Sequence, residues 1–141
     1  MKKYACLDIG GTAIKYGIIN ENGCIMEKCS MVTEADKILQ TAIAIVEQLS
    51  SSHEICGICI STAGMVDPQT GEIIYSGPTI PKYKGTRLKK TMEEYFGLPC
   101  EVENDVNCAN LAEFFSGASV GSDTSVMLTI GTGIGGSFII G

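Results

Sequence analysis

The sequence predicts an α/β fold in which a mixed sheet carries helices, followed by the opening of a second lobe. Three observations carry that expectation. Three apolar strand-like runs open the chain, joined by Gly10-Gly11-Thr12 and by Asn22-Gly23, the latter a strong hairpin signal. Strand-like and helix-like runs then alternate, and parallel neighbours in a sheet need such crossover connections. Near the end, Gly131-Thr132-Gly133 again sits between two strand-like runs and repeats the glycine–threonine chemistry of the first turn.

Lys3 to Ile9 reads as a buried strand, Thr12 to Asn20 as a second and Cys24 to Met31 as a third. Thr33 can cap a helix, with Asp36 three residues on as a near capping box. Ile38, Leu39, Ala42, Ile45, Val46 and Leu49 then recur at helical spacing as far as Ser50-Ser51-Ser52. Ile55 to Ser61 is a buried strand, Thr62 to Gly71 is rich in turn residues, and Ile73 to Tyr75 suits a short strand. Residues 76–85 contain two prolines and two glycines and read as a loop. A helix starts at Thr86 and carries Leu88, Met92, Tyr95 and Phe96; Gly97 ends it and Pro99 blocks its extension. Cys100 to Glu103 is a strand, and Asn104-Asp105 opens a helix with Cys108, Leu111, Ala112 and Phe115 on one face. Gly117 to Asp123 reads as a linker, Thr124 to Ile130 as a strand, and a last strand follows the second glycine turn.

The order is therefore βββαβαβα and then a new ββ start. That order gives a mixed sheet with helices on its faces, the ribonuclease-H-like lobe of the actin/hexokinase type. On this reading residues 1–118 form the lobe, and 119–141 are a linker plus the first hairpin of a second, truncated lobe. A two-stranded hairpin alone is marginal in water, so the chain is expected to be the N-terminal part, about half, of a longer protein.

With 141 residues, 45% of them hydrophobic and 18% charged, the chain can bury a sizeable core. A formal net charge of −6 and the lack of a basic run disfavour binding to nucleic acid through phosphate neutralisation. No apolar stretch approaches the ~18 residues of a membrane span. The opening Met1-Lys2-Lys3-Tyr4-Ala5 reaches Asp8 too soon to hold a signal-peptide core. These readings point to a cytoplasmic protein without nucleic-acid or membrane partners.

The seven cysteines are odd in number and irregular in spacing, mostly within apolar runs where a free thiol packs as a small hydrophobe. Cys56-Gly57-Ile58-Cys59 has C-x-x-C spacing, but it falls in a strand-like run, where residues three apart face opposite sides. No redox or zinc pair is expected there. The lone His53 follows serines and reads as a solvated loop residue.

Glycine turns let backbone N–H groups approach an anion closely, and a threonine in the turn adds a hydroxyl donor. Two such turns, far apart in sequence, suggest two jaws holding one polyphosphate; the alternative is a pair of ordinary hairpin turns. Gly131 to Gly136 also spells G-x-G-x-x-G, but the dinucleotide fingerprint needs a helix after the glycines, and Ser137-Phe138-Ile139-Ile140 reads as strand. The first turn lacks the G-x-x-x-x-G-K-[ST] of a P-loop.

Taken in order, Asp8–Lys15, Ser61–Asp67, Ser76–Gly85, Glu103–Glu113 and Leu128–Gly136 resemble the ROK family of sugar kinases, particularly its glucokinase-like and β-glucoside-kinase-like members, and the resemblance covers the whole chain. It implies phosphoryl transfer from ATP to a hydroxyl of a sugar or β-glucoside. It also implies that Asp8, Gly10, Gly11 and Thr12 lie near the Mg²⁺–phosphate end of ATP, with Asp8 on the metal side. Lys15 matches the lysine of that motif, and Gly131, Thr132 and Gly133 match the second phosphate loop. Gly64, Asn104 and Asp105 match positions that hold the sugar, and Asp105 matches the catalytic base. ATP and Mg²⁺ are thus the implied cofactors, sugar and ATP the small-molecule partners, and a homodimer the implied form of the full-length protein.

The residue chemistry supports this separately. Asp105 follows a strand and opens a helix, whose N-terminus favours negative charge. An Asp there can equally be a plain cap, as Asp8 can be at a strand end. A weak base suffices for phosphoryl transfer, where positioning and charge stabilisation dominate. Two departures from the family pattern bear on which sugar is bound. Met65 stands in a loop that often carries prolines, and Ser76-Gly77-Pro78-Thr79-Ile80-Pro81 replaces a commoner Asn/Trp-containing loop. The alternative is a non-catalytic sugar-binding or regulatory ROK protein. Asp105 and both glycine turns favour the kinase, and no helix-turn-helix precedes the first strand. The 141 residues alone are expected not to turn over ATP, since they hold only the start of the second jaw.

Overall fold

Lys3–Ile9 (β1), Ala13–Asn20 (β2) and Ile25–Val32 (β3) form an antiparallel meander. The structure is a computed structural model and describes residues 1–131 and 133–141. The helix Ile38–Ser52 (α1) carries the chain across to Gly57–Thr62 (β4), which lies beside β1 and parallel to it. Met65–Val66 (β5) and Ile73–Tyr75 (β6) make a small antiparallel ribbon. Leu88–Phe96 (α2) leads to Cys100–Asn104 (β7), which completes a five-stranded sheet of order β3-β2-β1-β4-β7. Asp105–Ser116 (α3) then precedes the antiparallel pair Thr124–Ile130 (β8) and Ile134–Ile140 (β9). This is the mixed ribonuclease-H-like architecture that the element order predicts.

The chain divides into two compact units, residues 1–103 and 104–141. That division groups α3 with the hairpin, whereas the sequence reading of 1–118 and 119–141 keeps α3 with the sheet.

In the first unit the strand periodicity determines the core. Ala5, Leu7 and Ile9 alternate with the more accessible Tyr4, Cys6 and Asp8 along β1. With Ile14, Ile18, Ile58 and Ile60 they meet the stripe Ile38, Ala42, Ile45, Val46 and Leu49 of α1. Each fully buried Ile or Leu contributes about 1.5–3 kcal/mol. Inside this core the Tyr83 hydroxyl and Thr62 Oγ1 lie 2.7 Å apart, and burial pushes the phenol up to about 12. In α2, Leu88 and Met92 are buried while Tyr95 points out and donates to Glu47 at 2.6 Å. Gly97 closes α2 in the left-handed region, φ 65°, as its position after the last apolar residue predicts. At the Asn22-Gly23 turn, Asn20 Oδ1 accepts from the N–H groups of Asn22 and Cys24 at 3.0 and 2.9 Å.

Three local expectations need correction. Thr33 does not cap α1. Its hydroxyl donates to the Gly10 carbonyl at 2.7 Å, and α1 begins only at Ile38, after one tight turn at Ala35–Lys37, with no side-chain cap. His53 is not a solvated loop residue. Its ring Nε2 lies 2.8 Å from Glu27 Oε2, and its side chain is 20% exposed. In the second unit the stripe expected on α3 does not face inward, for Leu111 and Phe115 are exposed and the buried residues of the helix are Val106 and Asn110. Asn110 takes a hydrogen bond from Ser125 Oγ at 2.6 Å and gives one to Ser137 Oγ at 3.2 Å, so the serines of the hairpin face the helix. No helix among the described residues is long and apolar enough to cross a membrane.

Candidate active site

The first glycine turn lies between paired strands, for Ile9 stands opposite Ile14 in the β1–β2 ladder. The Gly10 N–H donates to the Ala13 carbonyl at 3.0 Å. Two contacts from β3's end hold the turn in place: the Thr33 hydroxyl on the Gly10 carbonyl, and the Thr33 N–H on the Thr12 carbonyl at 3.0 Å. Gly11 has no room for a side chain, because a Cβ there would stand 2.8 Å from the Cβ of Thr79. The 76–85 loop is thereby packed directly against the turn.

Asp8 lies on β1 opposite Lys15 on one side and Ser61 of β4 on the other. Ser61 Oγ donates to Asp8 Oδ1 at 2.9 Å, while Lys15 Nζ stands 3.9 Å from Oδ2. The Asp8 side chain is 47% exposed, so the Lys15 pair is solvent-screened and worth little, ~0–1 kcal/mol. The pair places a carboxylate and an ammonium near the turn. Gly64 follows β4 and has φ 102°, where any Cβ would also meet the Tyr75 carbonyl oxygen at 2.6 Å. Only glycine suits that position. Since Ala63 N–H donates to the Ile9 carbonyl at 2.9 Å, Gly64 leaves the sheet beside the first glycine turn. Asp8, Gly10, Gly11, Thr12, Lys15 and Gly64 are thus gathered at one end of the sheet.

In the second unit, Asn104 and Asp105 form the start of α3. Asn104 is the N-cap, with its side-chain oxygen accepting from Val106 and Asn107 N–H. Asp105 is the first helical residue and is exposed; one of its oxygens accepts from Val106 N–H at 2.8 Å. The cap is therefore Asn104, and the carboxylate sits on the positive end of the helix dipole. The second glycine turn closes β8 and β9, with Gly131 N–H donating to the Gly133 carbonyl at 2.9 Å. Thr132 lies outside the described residues.

Sequence reasoning missed Thr33, Ser61 and Thr79 as parts of this framework. Ser61 and Thr79 fall within the family-like blocks, but only the parallel register sets Ser61 against Asp8, and only the loop's path sets Thr79 against Gly11. Among the described residues no cluster of three or more His, Cys, Asp or Glu is arranged to hold a metal ion.

A mixed sheet of this order, with a glycine turn after its first strand and an Asn–Asp helix start after its last, belongs to the actin/hexokinase-like class. The family model described as ROK family matches residues 4–141, and the chain belongs to that family. It is 54% identical over 144 aligned residues to an uncharacterized protein of Clostridium perfringens, covering 99% of this chain and 49% of that protein. It is 38% identical over 139 residues to a β-glucoside kinase of Klebsiella pneumoniae, covering 96% of this chain and 45% of that enzyme. A ROK family glucokinase from Streptomyces griseus, solved in complex with glucose and AMPPNP, superposes with a TM-score of 0.87 at 35% identity, covering 99% of this chain and 45% of that one. The chain spans about half the length of the curated relatives it matches.

Proposed function

We propose that this chain supplies the N-terminal lobe of an ATP-dependent sugar kinase that phosphorylates a hydroxyl of a hexose or β-glucoside. The relatives named as β-glucoside kinase and glucokinase support that class. The observation that carries it is the start of α3, where Asn104 takes the cap and leaves an exposed carboxylate on Asp105. In this reading Asp105 orients the sugar hydroxyl and accepts its proton as the oxygen attacks the terminal phosphorus of ATP. Asn104 and the backbone at Gly64 hold other hydroxyls of the sugar. The turns Gly10-Gly11-Thr12 and Gly131-Thr132-Gly133 take the phosphate oxygens through N–H groups other than those of Gly10 and Gly131, which donate within the turns, and Lys15 adds positive charge.

Asp8 suits an Mg²⁺–nucleotide complex by its chemistry. It is a single hard carboxylate, half exposed, with one oxygen already oriented by Ser61. Mg²⁺ is commonly held by one or two carboxylates together with substrate phosphates. The ion would neutralise charge on the phosphates; the residues of this chain position the reactants and take up the proton. We also place residues 119–141 as the linker and first hairpin of the second lobe, so that catalysis requires the longer protein.

The test is a panel of hexoses and β-glucosides with ATP and Mg²⁺, run on the longer protein and on its Asp105→Asn variant. The expected result is turnover with at least one sugar, and a loss of roughly 10²-fold or more in kcat in the variant with a much smaller change in sugar affinity. Sugar binding without turnover anywhere in the panel would instead favour the non-catalytic regulator.

A further inference from the structure

We propose that Cys6 and Cys59 form a peroxide-sensitive dithiol site on the face of the sheet away from α1, which closes to a disulfide between β1 and β4. The two residues stand directly opposite one another in the parallel ladder. Neighbouring strands lie about 4.8 Å apart, within the roughly 4.4–6.8 Å Cα separation that a disulfide bridges. Both side chains alternate with buried neighbours: Cys6 with Ala5 and Leu7, Cys59 with Ile58 and Ile60. They therefore share the side opposite the core. Cys59 is exposed and Cys6 half-buried, so solvent reaches the pair from the Cys59 side.

The two thiols have distinct roles. The Cys6 thiol gives its S–H to the Tyr4 carbonyl at 3.8 Å and is half-buried, whereas Cys59 is exposed. Peroxide therefore meets Cys59 first, and Cys6 beside it holds the Cys59 thiol below its usual range, which makes Cys59 the attacking thiol and Cys6 the resolving one. Cys24, Cys29, Cys56 and Cys100 lack this arrangement. Cys56 gives its S–H to the Lys3 carbonyl at 3.2 Å, Cys29 stands opposite Tyr16, and Cys100 is buried, where the loss of solvent pushes its thiol up to about 12. Cys24 is exposed but lies at a hairpin turn outside the strands.

The reaction balances with hydrogen peroxide as oxidant. The Cys59 sulfur attacks one peroxide oxygen; the O–O bond breaks, a sulfenic acid forms, and the released hydroxide leaves as water with the thiol proton. The Cys6 sulfur then attacks the sulfenic sulfur; the S–S bond forms, the S–O bond breaks, and the second water carries off the Cys6 proton. Two thiols are oxidised and one peroxide is reduced to two waters. Asp8 and Ser61 are the next pair along the same face of the same two strands. Drawing the two Cβ atoms to the ~3.8 Å of a disulfide pulls β1 and β4 together beside them. The site does not depend on the kinase reading, and its test does not use activity.

The reduced full chain is treated with limiting hydrogen peroxide, the remaining thiols are alkylated, and the peptides are mapped by mass spectrometry. The expected product is a peptide pair joined through Cys6 and Cys59, two hydrogens lighter than the reduced pair and restored by dithiothreitol. It should exceed oxidation at every other cysteine by about tenfold. In the Cys6→Ser variant the sulfenic acid at Cys59 should persist and be trapped by dimedone; in Cys59→Ser both the link and the adduct should vanish. The proposal is overturned if Cys24 or Cys29 is oxidised while Cys6 and Cys59 are still alkylated, or if folded Cys6→Ser yields no dimedone adduct at Cys59. The wild-type map decides the matter even if a variant misfolds.

Discussion

The sheet unit and the hairpin unit treat the same strand pattern in opposite ways. In residues 1–103 the apolar half of each central strand is inside: Leu7, Ile9, Ile14, Ile58 and Ile60 are almost fully buried. In residues 104–141 the apolar half is outside: Val126, Leu128, Ile130, Ile134, Phe138 and Ile140 are all exposed, while Ser125 and Ser137 are buried. The difference lies in the helix that each set of strands meets. The α1 stripe is wholly apolar, so serine facing it would lose its hydrogen bonds to water without replacement. The buried side of α3 contains Asn110, whose amide both accepts from and donates to the two serines, so they go inward at little cost. Among the described residues no buried side-chain nitrogen or oxygen lacks a partner. Alternation thus shows that a strand has two unlike faces, and the neighbour decides which of them is covered.

Substitutions can break this contrast. The largest expected effect is Ile58→Ala, at a side chain 1% exposed: a loss of about 2–5 kcal/mol, seen as a lower urea midpoint with an unchanged slope. Asn110→Ala should follow, at about 1–3 kcal/mol, since it leaves two buried hydroxyls without their shared partner. If replacing Asn110, Ser125 and Ser137 together by alanine restored the stability, the polar seam would be shown to be costly only when half complete. Gly11→Val should cost about 1–3 kcal/mol by overpacking against Thr79 and should also impair use of ATP. Adding Thr79→Ala should relieve the stability loss but not the ATP defect. Recovery of both in the double variant would reduce the turn to a packing element. The smallest effect belongs to Leu128→Ala, at a side chain 67% exposed, which should stay within about 0.5 kcal/mol. A loss near that of Ile58→Ala would mean that the outer face of the hairpin is covered in solution.

Much of the fold was legible because its signals are local. The period of two in Lys3–Ile9, the helical spacing from Ile38 to Leu49, the Asn22-Gly23 turn and the Gly97 stop each act through a few neighbouring residues, and all stand where they were expected. The candidate site residues Asp8, Gly10, Gly11, Gly64, Asn104 and Asp105 are singled out by motifs, and the structure adds their surroundings. Thr33 was misread because its local signal, a hydroxyl before an apolar helical run, is the same whether it caps the helix or reaches back to Gly10. The hydrogen bond from His53 to Glu27, the Ser61 hydroxyl on Asp8, the packing of Thr79 on Gly11 and the apposition of Cys6 and Cys59 join residues far apart in sequence. Such pairings depend on strand order and register. Sliding a strand by one residue exchanges its two faces and its partners without altering the sequence pattern. The sequence by itself therefore determined the elements, their order and the family motifs. The tertiary structure alone decided which thiols meet, which carboxylate is oriented and which face of each strand is hidden.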